Sequence, residues 1–366
     1  MKLEVQPETA SAALSPGRSP AAAEARGAFA LPRRRAVLAG PLVALVAMAA
    51  ALLATGAAGV PLRDPDNVTG NRLVLAVSLV LALVALDLVA RAWVRADGRW
   101  PCLAPLAAVR REHWPLARGL VVASAVVSFY VTYLAYRNLK SVVPLLRPGE
   151  LFDRDLGAFD RGLFAGHDPA ALLHDVVGTG LATHAFSAVY MLFFLFIPGT
   201  LAVALVFSRD MRGGLFYATA LSLNWVLGAG SYFLLPSLGP IYVDPGTFAG
   251  LPHTDAGQLQ AVLLDQRLEF LRDPAIGAAQ SIGAFASLHV SIFLTGALAT
   301  HVLGLRRPVK VVAWVLAVLT VGATIHLGWH YVADDFGGVA IAVLALGLAW
   351  LLTGVDPRAA RRGDAS

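Results

Sequence analysis

Residues 281–338 read SIGAFASLHVSIFLTGALATHVLGLRRPVKVVAWVLAVLTVGATIHLGWHYVADDFGG. One apolar run begins near Ser287 and ends near Leu305, and a second extends from about Val311 to Trp329. Arg306, Arg307 and Lys310 separate them. A helix needs about 20 apolar residues to cross a bilayer, so the two runs read as crossing helices joined by a short basic turn. His289 and His330 stand at the ends of apolar segments, and Asp334 follows His330 by one helical turn. Ionisable groups beside membrane-length segments are expensive unless they serve a site. The stretch therefore sets a membrane-spanning helical fold and also says where its chemistry is to be sought.

The rest of the chain is of the same kind. Of its 366 residues 57% are hydrophobic and only 14% charged, and the mean hydropathy is +0.66. Soluble domains carry about 25% charged residues. One globular core cannot absorb that deficit, and the chain reads as an all-α integral membrane protein with about eight transmembrane helices. The remaining runs span about 36–60, 73–93, 119–136, 184–207, 214–235 and 336–353. Asp87 lies near the end of the second run, where it snorkels or pairs with Arg91. Residues 1–35 read as a disordered cytoplasmic tail ending in Arg33, Arg34 and Arg35, because the apolar run that follows is too long for a secretory signal. Residues 356–366 read as a second cytoplasmic tail. A single cysteine, Cys102, excludes an intrachain disulfide and a cysteine-rich metal site. No basic, aromatic-interleaved patch speaks for nucleic acid.

Basic residues collect in cytoplasmic loops. With the N-terminus inside, the inner segments hold most of the 29 Lys and Arg: six in the tail, six in 91–118, then Arg209, Arg212, Arg306, Arg307, Lys310, Arg358, Arg361 and Arg362. This predicts a multi-pass plasma-membrane protein, N-in and C-in. Segments 137–183, 236–286 and 330–335 then face outward, and Lys140, Arg147, His289, His330 and Asp334 share the extracytoplasmic side, each at or just beyond a helix end. A short amphipathic helix is expected at about 169–177, lying in the interface. The segment 236–286 opens around LPSLGPIYVDPG, whose prolines and glycines argue against one continuous helix. It reads either as a plain connector or, through Pro240, Tyr242 and His253, as a lid or headgroup wall. The sequon Asn67-Val68-Thr69 is a match of the kind chance produces.

The spacing of His330 and Asp334 puts both on one helix face. There the carboxylate fixes the imidazole tautomer while the other ring nitrogen attacks or shuttles a proton; the same pair equally fits a cap of the eighth helix. Ser287 and His289 read as an ordinary N-cap serine with an interfacial histidine, or as a hydroxyl and helix N–H groups for a phosphate oxygen. Lys140 and Arg147 lie in KSVVPLLRP. A juxtamembrane basic pair meets lipid headgroups, but on the outer face such pairs are disfavoured. Arg147 suits bidentate phosphate binding and Lys140 supplies a point charge. Together these residues describe phosphoryl transfer. His326 and His330, also four apart, could ligate a metal in principle, yet spacing offers no third ligand.

This combination resembles the type 2 phosphatidic acid phosphatase superfamily of membrane lipid phosphatases and phosphotransferases. The family's first motif is Lys, six residues, then Arg-Pro, and Lys140-SVVPLL-Arg147-Pro148 matches it completely. The second, Pro-Ser-Gly-His, stands here as Ala286-Ser287-Leu288-His289. The third is Ser-Arg, five residues, His, three residues, Asp. His330 and Asp334 match, but Ala323 and Thr324 occupy the Ser-Arg positions, so the arginine is missing. GAFASLH and GWHYVADDFGG look like the inositol-phosphorylceramide synthase and sphingolipid synthase branch, which relies on a His–His–Asp set without that arginine.

The resemblance implies a six-helix catalytic core within 118–355, preceded by two extra transmembrane helices in 36–117. It implies His330 as the nucleophile forming a phosphohistidine, Asp334 as its orienting partner, and His289 as acid for the leaving group. Lys140, Arg147 and Ser287 would bind phosphate, Asp335 would be a solvated neighbour, and His326 a polar packing residue. On that resemblance no metal or other cofactor is expected. The implied donor is a phospholipid or lipid phosphate of the bilayer, and the acceptor is water or a lipid or polyol hydroxyl. That is an inositolphosphotransferase-like activity or, alternatively, a simple polyprenyl or phosphatidate phosphatase. A transporter would place its ionisable residues near mid-membrane at broken helices, whereas these cluster at helix ends. A non-catalytic scaffold would have lost His330, His289 or Asp334.

Overall fold

The computed structural model describes residues 31–64, 67–99, 103–208, 211–275 and 279–355. The two expected tails, apart from residues 31–35, and Cys102 lie outside them. In chain order the helices are α1 (Arg34–Ala57), α2 (Val68–Arg95), α3 (Leu103–His113), α4 (Leu116–Leu146), α5 (Asp153–Leu163), α6 (Pro169–Val177), α7 (Leu181–Phe207), α8 (Arg212–Leu234), α9 (Pro240–Val243), α10 (Asp255–Arg272), α11 (Leu288–Val302), α12 (Arg307–His326) and α13 (Val332–Thr353). The described residues contain no strand, and the fold is that of an all-α integral membrane protein.

Six helices, α1, α2, α4, α7, α12 and α13, are long and apolar enough to cross a membrane. The two other expected crossings are of a different kind. α8 buries Thr219, Ser222, Asn224 and Ser231, and α11 has only 15 residues, about 22 Å at 1.5 Å per residue. A count of eight is therefore not established by length and composition. Both lie inside the bundle: α8 packs on α1, α4, α7, α11 and α13, and α11 on α12 and α13 as well. Their polar groups are tolerated because they are paired. Asn224 donates to Ala220 O at 2.8 Å and to Thr295 Oγ1 at 3.1 Å, and accepts from the Ser291 hydroxyl. α2 is the opposite case. It buries Thr69, Ala76, Val80, Asp87 and Ala92 on one stripe and exposes Val74, Val77, Leu81 and Leu86, an apolar face that acyl chains cover.

Three expectations change. The third crossing was expected to end at Tyr136, but α4 continues to Leu146. Arg137 and Lys140 do not end it because neither charge faces water: Arg137 pairs with Asp64, and Lys140 lies against Tyr136 and Tyr232. The segment 236–286 is neither a plain connector nor structureless, since it holds α9, a 3₁₀ turn at Pro245–Phe248 and the 18-residue α10. Helices α3 and α5 had no counterpart in the expected crossings. The amphipathic helix expected at 169–177 is α6, capped by the Asp168 carboxylate, which accepts from Ala170 N and Ala171 N. Asp87 accepts from Arg91 Nε at 2.8 Å and from Trp114 Nε1 at 2.9 Å, a paired carboxylate with a structural role.

Candidate active site

The site is built from one turn and two helix N-termini. α12 ends at His326, and Gly328, at φ 71°, reverses the chain. Trp329 N and His330 N both donate to Thr324 O, at 3.0 and 3.3 Å. At the start of α13, Asp334 Oδ2 accepts from Tyr331 N at 2.9 Å. The same oxygen meets His330 Nδ1 at 3.3 Å. His330 thus precedes the helix instead of lying on its face, and the carboxylate that caps α13 is also the one that orients the ring. With its proton on Nδ1, the imidazole presents Nε2 as its lone pair. Burial pushes the His330 imidazole down to about 4, against the opposing pull of the Asp335 carboxylate, so the ring is neutral near physiological pH.

Gly337 and Gly338 allow the two helix starts to touch. A Cβ on Gly338 would lie 2.5 Å from Ser287 O, and one on Gly337 would lie 2.6 Å from the Ala286 Cβ. α13 therefore seats its first turns on the N-terminus of α11, and Ser287 N donates to Asp334 O at 2.9 Å. His289, in the first turn of α11, is held between the rings of Tyr190 and Phe193, with centroids 4.0 and 3.9 Å away. Its centroid is 6.1 Å from that of His330, and its Nε2 is buried without a hydrogen-bond partner.

Lys140, His289 and His330 share a cavity of about 270 Å³, which Tyr242 also lines. Lys140 Nζ lies 4.5 Å from the Tyr232 ring centre and 3.4 Å from Tyr136 Oη. The Lys140 carbonyl is left free by Pro144, which has no N–H to donate to the carbonyl four residues back. Lys140 O accepts instead from Gln280 Nε2 at 2.7 Å, and Gln280 Oε1 accepts from Ile282 N at 2.9 Å. The carbonyl left free within α4 thereby ties residues 280–282 to the helix. Tyr242 donates to Gln260 O at 3.2 Å, and Gln260 Nε2 donates to Leu327 O at 2.7 Å, so α10 is fastened to the turn that carries His330.

Other sequence-predicted site residues are not gathered there. Arg147 is turned away, bonded to the Glu150 carboxylate and to Phe233 O, and does not line the cavity. It sits past the end of α4, where a carboxylate three residues on is the nearer partner. The Ser287 hydroxyl is also committed. It accepts from Val290 N at 3.4 Å as the N-cap of α11 and bonds Asp335. Pro240 opens α9 but is not part of the cavity lining. Asp335 is not a solvated neighbour. It is buried and accepts from Thr324 Oγ1 at 3.2 Å, so the residue at the missing arginine's position holds a buried carboxylate behind the cavity lining. His326 does not pair with His330, because its Nε2 meets Thr183 Oγ1 at 2.8 Å and its ring packs against His174 and Phe186.

Four further residues were missed by sequence reasoning. On α5, Asp160 accepts from Val332 N at 2.7 Å and Ala333 N at 3.0 Å, capping α13 from outside. Burial raises its carboxyl above the ordinary range, against the lowering effect of those two N–H groups. Asp153 accepts from Leu238 N at 3.0 Å, Gly239 N at 2.9 Å and Tyr331 Oη at 3.2 Å. α5 thus clamps both the turn at 236–239 and the turn that carries His330. The available signal was the seven-residue spacing of two acids, which places them on one face of a helix. Arg72 and Arg137 also line the cavity; both fall in connecting segments, just outside the crossings expected at 73–93 and 119–136.

The PAP2 superfamily matches residues 154–348, more than half of the chain. The chain belongs to that superfamily, and membership supports a phosphatase- or phosphotransferase-type activity. No curated protein and no solved structure matches it.

Proposed function

We propose that the protein is a membrane-embedded lipid phosphotransferase, inositolphosphotransferase-like, working through a phosphohistidine on His330 with its site on the extracytoplasmic face of the plasma membrane. The observation that carries this reading is the buried His330–Asp334 pair at 3.3 Å, beside His289 and Lys140 in one cavity. His330 Nε2 attacks the phosphorus of a lipid phosphoester held by Lys140. The bond to the leaving oxygen breaks, and that oxygen takes a proton from the His289 imidazolium. Asp334 stabilises the charge that develops on His330. In the second half-reaction an acceptor hydroxyl gives its proton to His289 and displaces the phosphoryl group from nitrogen, which restores the free ring.

Water as acceptor would make the same site a simple lipid phosphate phosphatase. Transfer is favoured by the largely apolar lining that α10 and the aromatic rings supply, with Tyr190 and Phe193 stacked on His289 and Trp329 on Tyr190, since a site poor in water spares the phosphohistidine from hydrolysis. A phospholipid or lipid phosphate labelled at phosphorus and supplied in detergent, with and without candidate alcohols such as diacylglycerol or inositol lipids, separates the readings. A labelled new lipid supports transfer, whereas labelled water-soluble phosphate (free phosphate from a monoester, headgroup phosphate from a diester) as the sole product supports hydrolysis. Wild-type turnover retained by purified His330→Ala would sink both.

A further inference from the structure

The cavity carries more positive charge than one phosphate at the histidines requires. Arg72, Arg137 and Lys140 line it together with His289 and His330, and no Asp or Glu does. The three cations are held differently. Arg137 is neutralised by Asp64, which also accepts from Thr69 N at 2.9 Å and Gly70 N at 3.2 Å and so fixes the start of α2 against α4. Lys140 and Arg72 meet no carboxylate among the described residues. Each rests on a tyrosine of α4: Lys140 on Tyr136, and Arg72 on Tyr133, with Arg72 Nη1 2.5 Å from the Tyr133 hydroxyl and its guanidinium 5.2 Å from that ring and 4.9 Å from the Phe194 ring. Tyr133 and Tyr136 stack at 6.1 Å. Arg72 thus stands over the Tyr133 and Phe194 rings and Lys140 over the Tyr232 ring, so the two cations occupy different parts of the cavity wall.

An arginine over two aromatic faces keeps most of its fork of donors unused. A partly desolvated cation without a counter-charge is costly, and the missing counter-charge is one the substrate can bring. We infer that Arg72 anchors a second anion subsite in the cavity, taking a phosphate group in addition to the one attacked at His330; as a statement about substrate this rests on the function proposed above. The N-terminal helix α2, which lies outside the segment matched by the superfamily, would then set which phosphorylated substrate the enzyme accepts.

The second phosphate could be borne by the lipid donor or by a polyol acceptor, and the test distinguishes them. Inorganic phosphate is titrated into the full chain in detergent and followed by ³¹P line broadening. The wild type is expected to show two saturable sites. Arg72→Gln should remove one and leave the affinity of the other unchanged, which also reports correct folding, and Arg72→Lys should keep the site with affinity weakened about tenfold, because the bidentate fork is lost. Lys140→Met should remove the other site. A single wild-type site, or two sites in Arg72→Gln, overturns the inference while leaving the chemistry at His330 untouched. Two sites that both survive Lys140→Met would instead count against the proposed function. Displacement of the Arg72-dependent site by dioctanoyl phosphatidylinositol 4-phosphate and not by dioctanoyl phosphatidylinositol assigns the group to the lipid. Displacement by soluble inositol 4-phosphate assigns it to the acceptor, and displacement by neither overturns the substrate role.

Discussion

The histidine half and the cation half of the site are built to different standards. His330, Asp334 and His289 are fixed by backbone hydrogen bonds and ring stacking, with the two acids of α5 bracing the turn from outside. The cations are not gathered in the same way. Lys140 is in the cavity, while Arg147, seven residues on in the same sequence motif, is turned to Glu150. The difference teaches that a motif's spacing guarantees the geometry only where local structure is closed by its own hydrogen bonds. A histidine in a capped turn has one place to be. An arginine past a helix end goes to its nearest carboxylate until something better arrives.

That contrast can be broken or sharpened by measurement. The largest effect is expected from His330→Ala and His289→Ala, which should lower turnover by roughly 10³-fold or more while the protein still inserts and purifies. Next, Lys140→Met should lower kcat by about 10²-fold, the usual loss for one preorganised cationic or hydrogen-bonding group at a reacting phosphate; an effect as small as that of Arg147→Gln would show that the two halves are not distinct. The pH profile comes third. His330 is held low, so its nucleophilic neutral form persists as pH falls and is lost only on passing through about 4. The acid limb of kcat/KM should therefore lie near that value, falling about tenfold per unit below it, and a limb near 6.5, the ordinary histidine value, would contradict the buried geometry. Fourth, Asp160→Asn should lower kcat by up to about tenfold and stability by about 1 kcal/mol, the usual loss when a helix cap is weakened, with KM little changed. Smallest of all, Arg147→Gln should change kcat/KM by less than about threefold, in line with the 0–1 kcal/mol of an exposed ion pair. A loss equal to that of Lys140→Met would mean that Arg147 exchanges Glu150 for substrate during turnover.

Much of this was legible in the residues themselves. Membrane-length apolar runs are one-dimensional signals, because a helix satisfies its backbone within its own segment, and six of them stand where hydropathy put them. The His330–Asp334 pairing was legible for the same local reason, though through a helix cap and not a shared helix face. What the tertiary structure alone decided is the company these residues keep. Asp335 looked exposed by its place beside Asp334, yet Thr324, eleven residues away, buries it in a hydrogen bond. Ser287 looked available to a phosphate until α13 was packed against it through Gly337 and Gly338. Asp153, Asp160 and Arg72 carry no sequence motif, because their partners lie 178, 172 and 61 residues away. Local spacing fixes which side chains share a helix face, whereas which faces meet, and so which charges are left for a substrate, is set by packing between helices distant in the chain.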